Sequence, residues 1–288
     1  MMGSGDIITP IVMGFLLGGL YALIALGLSM VFGVMKLINL AHGDFVILGS
    51  YGAYAMTSFL GMDPILSLVV CIPVMFALGF GVQKYLMGRA FGLSVEAPLI
   101  IAFGIALVIQ NTNQILWTPL SRGITTSYSL KSFQMGDLQF PLAYLLDFLA
   151  SIIVMVALRE FLARTYLGKA ITAASQDKRA AQLMGINTNR IHGYAFAIAM
   201  VSAAVAGVFL GMTFPFTPTS GISFLAIAFG TVIIGGLGSM VGTFIGGIIL
   251  GMVQTLGGYF FGPATQMLIL YLIVLVILTI RPQGLFGR

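Results

Sequence analysis

Asn39, His42 and Asp44 lie within six residues of each other, in a chain of 288 residues of which only 7% are charged. A histidine and an aspartate in contact can exchange protons, but residues two apart on a helix point about 200° away from each other. The stretch instead predicts the start of a helix at the inner membrane surface, with Asn39 as N-cap and Asp44 in the first turns. In a second interpretation His42 faces an inner vestibule or gate.

The sequence lacks the motifs by which membrane enzymes and nucleotide-binding proteins are usually found. Its two histidines are 150 residues apart, which excludes HExxH, and neither GxSxG nor GxxxxGK(S/T) occurs. Cys71 is the only cysteine, so a disulfide within the chain and a cysteine-based metal site are excluded. We therefore expect no catalytic residues, no metal site and no cofactor in this chain. If ATP drives it, a separate chain must bind the nucleotide.

A second polar cluster interrupts an apolar segment further along the chain, and consists of Gln110, Asn111, Asn113 and Gln114. Residues 110, 113 and 114 share one helix face. One interpretation is hydrogen bonding between helices, worth about 0.6–2 kcal/mol per bond. The other is a polar lining for the path of a small solute.

The elements that position these residues are predicted to be membrane helices. Mean hydropathy is +1.08 and 59% of residues are hydrophobic, far outside the range of soluble domains. No polar linker divides the chain, so residues 1–288 are predicted to form a single transmembrane domain: an all-α, polytopic integral membrane helical bundle. A crossing needs about 20 residues, and the candidates lie near 7–34, 40–60, 64–86, 95–117, 142–163, 191–213, 222–237, 240–260 and 263–280.

About nine crossings are predicted, with eight or ten as alternatives. The seventh segment is short and the eighth is rich in glycine, so broken or re-entrant helices are expected among them. The acids Asp44, Glu96, Asp147 and Glu160 lie in or beside these segments, all near a predicted end. A proton- or sodium-coupled transporter would more often carry charge at the middle of a span.

The positions of lysine and arginine predict the orientation. With the N-terminus outside, eleven of the thirteen basic residues lie inside, and Arg122 and Lys131 lie outside. We predict a multi-pass protein of a bacterial inner membrane with a periplasmic N-terminus, a cytoplasmic C-terminus and basic residues beside anionic lipid. The basic residues are too scattered for a nucleic-acid-binding face.

The inner loop of residues 164–190 holds five of the basic residues. Its middle, KAITAASQDKRAAQLMG, is rich in helix formers and ends at Gly185, which predicts a short cytoplasmic helical element that is too polar to insert. Glycines 238, 242 and 246 recur at four-residue spacing, and Gly247 pairs with Gly251. This pattern predicts close helix packing within the chain, with dimerisation through the same face as the alternative.

Three stretches resemble the permeases of branched-chain amino acid (LivH-type) ABC transporters: GLSMVFGVMKLINLAHGDFVILGSYGAY (27–54), GKAITAASQDKRAAQLMGI (168–186) and AFGTVIIGGLGSMVGTFIGGIILG (228–251). The resemblance covers essentially the whole chain. It implies a permease subunit, not an enzyme, in an ATP-driven importer of branched-chain or related amino acids. It further implies a second, related permease chain, two cytoplasmic ATPase subunits that hold ATP and Mg²⁺, and a periplasmic substrate-binding protein.

The resemblance also makes residues 164–190 the coupling loop that docks on an ATPase, with the solvated basic loop as the alternative. The candidate coupling residues carried over by position are Gly168, Asp177, Lys178, Arg179, Ala180 and Gly185. The resemblance does not supply pathway residues. From their polarity we select Asn39, His42, Gln110, Asn111 and Asn113.

Three other functions compete with this interpretation. Related permeases carry urea, short amides or other small polar solutes, so a different cargo is the first alternative. A passive channel is the second, although a channel has no need of a basic helical loop on the inner side. A membrane enzyme is the third, and the missing motifs weigh against it.

Overall fold

The computed structural model describes residues 5–90, 94, 96–126, 128–129, 131–135, 138–281 and 283–286. The helices described are α1 (Gly5–Met35), α2 (His42–Leu60), α3 (Leu68–Val82, extended by a π-turn at Gln83–Met87 and by Gly88–Ala90), α4 (Ala97–Trp117), α5 (Leu142–Arg164), α6 (Tyr166–Gln176), α7 (Lys178–Leu183), α8 (Thr188–Thr213), α9 (Gly221–Gly235), α10 (Met240–Phe261) and α11 (Gln266–Ile280). A 3-10 turn at Pro263–Thr265 precedes α11.

Seven helices in the described part of the chain are long and apolar enough to cross a bilayer: α1, α3, α4, α5, α8, α10 and α11. This confirms a polytopic helical membrane fold. The count of about nine crossings is not confirmed, because α2 is not among the seven and α9 has only 15 residues. A helix of that length spans about 22 Å, less than the hydrocarbon thickness of about 30 Å.

The centre of the bundle is formed by α1 and α8, whose side chains are buried on nearly all faces. The helices around them keep apolar faces exposed, as expected of surfaces that contact lipid. We call the end of the bundle that carries Met35, Ala90 and Arg164 the basic end. The end that carries Leu60 and Trp117 is the loop end.

Glycines bring α10 into direct backbone contact with two neighbours. A Cβ atom added to Gly247 would lie 2.6 Å from both Ala22 N and Gly18 O of α1. Gly246, on the other face of α10, approaches Thr231 and Gly235 of α9 in the same way. The prediction of close packing within the chain is confirmed, and α1 and α9 already cover these glycine faces.

Hydrogen bonds between buried side chains join the central helices to their neighbours. The Tyr21 hydroxyl of α1 donates to Gln254 of α10, and the Thr243 hydroxyl of α10 lies 2.8 Å from that of Ser29 in α1. Thr213, the last residue of α8, donates to Asp147 of α5 over 2.7 Å. Such bonds stabilise a bundle in lipid, where water offers no competing partner.

The loop end carries a small β-hairpin that the all-α prediction missed. Strand β1 (Ser132–Met135) pairs antiparallel with β2 (Leu138–Pro141). The Phe133 and Phe140 rings on opposite strands lie 5.6 Å apart. Strands of four residues carry too little alternation to be recognised in a polar loop.

Polar contacts tie the rest of this loop region to the helices. Arg122 exchanges two backbone hydrogen bonds with Phe216, and its guanidinium donates to the Trp117 carbonyl over 3.1 Å. Tyr128 donates to Asp63, and burial together with this hydrogen bond raises the pKa of Tyr128 to about 12. The loops after α4 and α8 are therefore held together at the loop end.

Candidate functional site

The chain turns back into the bundle after α1 and starts α2 inside the membrane. Lys36, with φ +53°, directly follows α1, and Leu37, Asn39 and Ala41 are buried in the segment that leads from it to α2. His42, the first residue of α2, lies against Ile24 of α1. Ile24 precedes the end of α1 by 11 residues, or about 16 Å of helix. This places the start of α2 near the middle of the bilayer.

The sequence predicted the wrong N-cap residue for α2, and it placed the start of α2 at the wrong depth. Ala41, not Asn39, is the N-cap of α2, and it makes no side-chain hydrogen bond to the helix. Asn39 instead accepts the Ala41 N–H over 3.1 Å and so shapes the turn before the helix. Asp44 does lie in the first turn, as predicted. The charge rule placed the stretch at the surface because Lys36 is there, but the chain re-enters the bundle directly after it.

His42 is fully buried, and its Nε2 lies 2.8 Å from the carbonyl oxygen of Ile24. A carbonyl can only accept, so Nε2 carries the proton in this contact. The Nδ1 atom is buried without a hydrogen-bond partner. His42 therefore fixes α2 against α1 in this conformation and does not line an open space.

Helix α9 begins at the same depth and runs the other way. A Cβ on Gly221, the first residue of α9, would lie 2.7 Å from the Asp44 carboxyl carbon and 2.9 Å from its amide nitrogen. From this point α2 extends to the loop end, and α9 extends to the basic end, where Gly238 approaches Gly33 of α1. The two helices are half-helices whose N-termini meet inside the membrane. The expectation that the seventh segment is short and broken agrees with this geometry.

Asp44 is almost completely buried at this meeting point, which we call the α2–α9 junction (Gly43, Asp44 and Gly221). Gln110 of α4 donates to its Oδ1 over 2.9 Å. Gln110 follows Ala97 by 13 residues and precedes Trp117 by seven, which again indicates mid-depth. Asp44 therefore lies near the start of its helix, as expected, but that start is at mid-depth and not at the membrane surface.

The interface between α2 and α4 continues from the junction to the loop end. Tyr51, two turns after Asp44, stacks on Trp117 with the ring planes 12° apart. Asn113 lies between Gln110 and Trp117 on the same face of α4 and is buried, and its Nδ2 has no hydrogen-bond partner. The Tyr51 hydroxyl is likewise buried without a partner. Unsatisfied donors of this kind cost about 1–3 kcal/mol each.

Polar side chains also lie on the outside of the chain beside the junction. Asn111 and Thr112 follow Gln110 on the exposed face of α4, and Ser223 is exposed in the first turn of α9. Asn111 satisfies its amide locally by donating to Leu107 O over 2.8 Å. Polar side chains at mid-depth are costly against lipid, so these three positions are better suited to contact with a second protein or with water.

The inner loop forms two short helices where one was expected. Asp177 has an extended backbone between α6 and α7, and its side chain accepts the N–H groups of Arg179 and Ala180 over 2.8 and 3.0 Å. At the other end of α7, Gly185 has φ +81°, and Ile186 N–H donates to Ala181 O. These are a side-chain N-cap and a glycine C-terminal motif. The predicted stop at Gly185 is confirmed.

Gly168 fixes the corner between α5 and α6. A Cβ at this position would lie 2.5 Å from Leu162 Cα. The other predicted coupling residues, Asp177, Lys178, Arg179, Ala180 and Gly185, are exposed on and beside α7. Leu183 and Met184, which the sequence reasoning passed over, are 89% and 82% exposed at the end of α7. The available signal was a pair of apolar residues in a polar loop, directly before the glycine that ends the helix.

We expect Asp177→Ala to destabilise α7 by about 1 kcal/mol, because two N–H groups at its start lose their acceptor. Asp177→Asn keeps the acceptor oxygen and serves as the control. Proteolysis of the loop in detergent-solubilised protein measures the effect, with faster cleavage expected in the alanine variant alone. Equal cleavage of all three proteins would show that the cap does not hold α7.

The chain matches known proteins in both sequence and fold. A family model described as branched-chain amino acid transport system / permease component matches residues 11–278. The chain belongs to this permease family. The high-affinity branched-chain amino acid transport system permease protein BraD of Pseudomonas aeruginosa is 32% identical over 297 residues, covering 96% of this chain and 95% of BraD. The corresponding LivH of Escherichia coli K12 is 31% identical over 304 residues, covering 96% of this chain and 94% of LivH.

A solved structure shares the fold. PsaBC from Streptococcus pneumoniae in complex with Fab superposes with a TM-score of 0.52 at 14% identity, covering 95% of this chain and 92% of the matched chain. The family resemblance seen in the sequence is confirmed. The chain is a multi-pass inner-membrane permease of the ABC importer type, a transport component and not an enzyme.

Proposed function

We propose that this permease translocates branched-chain or related amino acids, which a periplasmic binding protein delivers to the loop end. The cargo is the one that the names of BraD and LivH state for those proteins. A permease for urea, short amides or another small polar solute is the alternative. In this proposal the basic end faces the cytoplasm and the N-terminus lies on the periplasmic side.

The observation that carries the proposal is the two-helix element formed by α6 and α7 at the basic end, which we call the α6–α7 projection because α7 is largely exposed. Within it, α7 is capped by Asp177 and stops before Gly185. Lys178 and Arg179 make its first turn basic, and Leu183 and Met184 are exposed at its C-terminal end. A short, rigid helix with an apolar tip fits a groove on a partner protein, as in other helix-in-groove interactions. The partner proposed is an ATPase subunit, one of two that bind ATP and Mg²⁺ and close in each transport cycle.

A second permease chain, related to this one, completes the membrane part in this proposal. The exposed polar side chains of Asn111, Thr112 and Ser223 support it, since polar groups at mid-depth are unsuited to lipid. The pathway role of Asn39, His42, Gln110, Asn111 and Asn113 stays a prediction. Asn111 has the best support among them, because its side chain is exposed at mid-depth.

Purification of the chain from its native membrane, followed by reconstitution into liposomes, tests the function. We expect two ATPase subunits and a second permease to copurify, and leucine uptake to require both ATP and the binding protein. A chain that purifies alone and passes solute without ATP would replace the importer with a channel. ATP-dependent uptake of urea or an amide, without leucine, would change the cargo only.

A further inference from the structure

The α2–α9 junction brings two helix N-termini together where no side-chain cap satisfies either of them. The N-caps of α2 and α9 are Ala41 and Ser220, and neither side chain accepts a hydrogen bond from its helix. The Ser220 hydroxyl is used elsewhere, as the acceptor for Thr217 N–H. The group that does lie against both helix starts is the Asp44 carboxylate, next to Gly221.

The charge of an ionised Asp44 matches the partial positive charges of the two helix N-termini at the junction. Each helix N-terminus carries roughly half an elementary positive charge, so two of them facing each other repel unless about one negative charge lies between them. In membrane proteins such discontinuous helices direct their positive ends toward an anionic group near the midplane. Here the Asp44 side chain, in its ionised form, supplies that anion. Removal of its charge would leave two like-charged ends in contact in a medium that screens them poorly.

The backbones of α2 and α9 are in direct contact at the junction. A Cβ on Gly43 would lie 2.9 Å from Leu225 N and closer still to the Gly221 carbonyl oxygen. Gly43 and Gly221 therefore let the first turns of the two half-helices touch, and Asp44 is held at the contact. The Gln110 amide donates to the carboxylate from α4 and so ties a third helix to the same point.

We propose that Asp44 is a positioning residue for translocation, which holds α9 on α2 and, through Gln110, sets the place of α4. This inference rests on the proposed function, in which Gln110 and Asn111 are pathway residues. Asn111 directly follows Gln110 and is exposed on α4. A shift of Gln110 at the junction therefore moves Asn111 as well.

The test compares Asp44→Asn, which removes the charge and keeps the shape, with the exchange Asp44→Asn/Gln110→Glu, which returns a carboxylate from the opposite helix. Asp147→Asn is the control for replacing a buried carboxyl group elsewhere in the bundle, because Asp147 is fully buried and accepts a hydrogen bond from the Thr213 hydroxyl, but lies between α5 and α8. Uptake is measured in liposomes with the cognate binding protein and normalised to assembled complex. The ATP hydrolysed per solute transported is recorded as well.

We expect Asp44→Asn to lower the maximal uptake rate about tenfold or more and to raise the ATP used per solute, because the hydrogen bond from Gln110 loses its charge assistance and the two helix ends lose the charge between them. The exchange variant should recover most of both losses, and Asp147→Asn should change the ATP per solute little. A merely structural role would lower the amount of complex and leave this ratio unchanged.

Three results would overturn the proposal: normal uptake by Asp44→Asn, an exchange variant that neither assembles nor transports, or an equal rise in the ATP ratio in Asp147→Asn. If Asp44→Asn alone fails to assemble, recovery of transport by the exchange variant supports the proposal. Measurements on the wild-type complex separate a failure of the proposed cargo from a failure of the role proposed for Asp44. Absence of leucine uptake by the wild type contradicts the proposed cargo, whereas the comparison among variants uses whichever solute the wild type carries.

Discussion

Replacement of Leu183 and Met184 by glutamate is expected to leave the chain folded in the membrane and to abolish its capture of the ATPase subunits. Both side chains are almost fully exposed at the tip of α7, so the substitutions disturb no packing within the chain. In the proposed complex the same side chains are buried in a partner's groove, where a charge has no counterpart. Buried anchors at the centre of an interface contribute about 2 kcal/mol each, so loss of the pair should reduce affinity by about a thousandfold.

The measurement is the amount of ATPase that copurifies with a tagged permease, together with ATP-dependent uptake. Gln176→Glu is the matched control, because it adds a negative charge to an exposed residue of the same loop, at the end of α6. It should retain the ATPase subunits. Normal copurification of the double variant would mean that the α6–α7 projection does not dock the ATPase, and the coupling assignment would then fall.

The broad architecture of this protein could be predicted from sequence because the bilayer imposes it. Hydropathy located every long helix to within a few residues, and the glycine spacing in α10 correctly indicated close contact. Hydropathy could not show that α2 and α9 are half-helices. A buried apolar helix surrounded by protein has the same composition as one that crosses lipid. Lys36 correctly marked the end of α1, but it gave no information on the depth at which α2 begins.

The α2–α9 junction could not be predicted because its residues are far apart in the sequence. Asp44 and Gln110 are 66 residues apart, and Gly221 is more than 170 residues from Asp44. Helical periodicity assigns residues to faces, and it correctly grouped Gln110 with Asn113, but it does not identify the partner of a face. Asp44 therefore appeared to be an ordinary acid in a first helical turn. Its contact with a second helix start depends on a fold in which α1 and α8 already hold α2 and α9 in place.

The glycine contact between α1 and α10 should be highly sensitive to added side-chain volume. Gly247→Val is expected to prevent accumulation of folded protein, and Gly247→Ala to lower the free energy of unfolding by about 3 kcal/mol, the upper range for overpacked cores. The reason is that a Cβ at Gly247 would meet Ala22 N and Gly18 O, which are backbone atoms of the central helix and cannot rotate away. The measurement is the fraction of monodisperse protein that survives heating in detergent.

Gly81→Val makes the same chemical change in α3, where a Cβ would meet nothing within 4 Å. Both sites are helical, so the difference in helix propensity between glycine and valine is the same in the two variants. The steric contact is then the only difference that the comparison measures. We expect the Gly81 variant to accumulate and to unfold near the wild-type temperature. If the two valine variants were equally impaired, the loss would come from glycine removal in general, and the close approach of α10 to α1 would not be what limits stability.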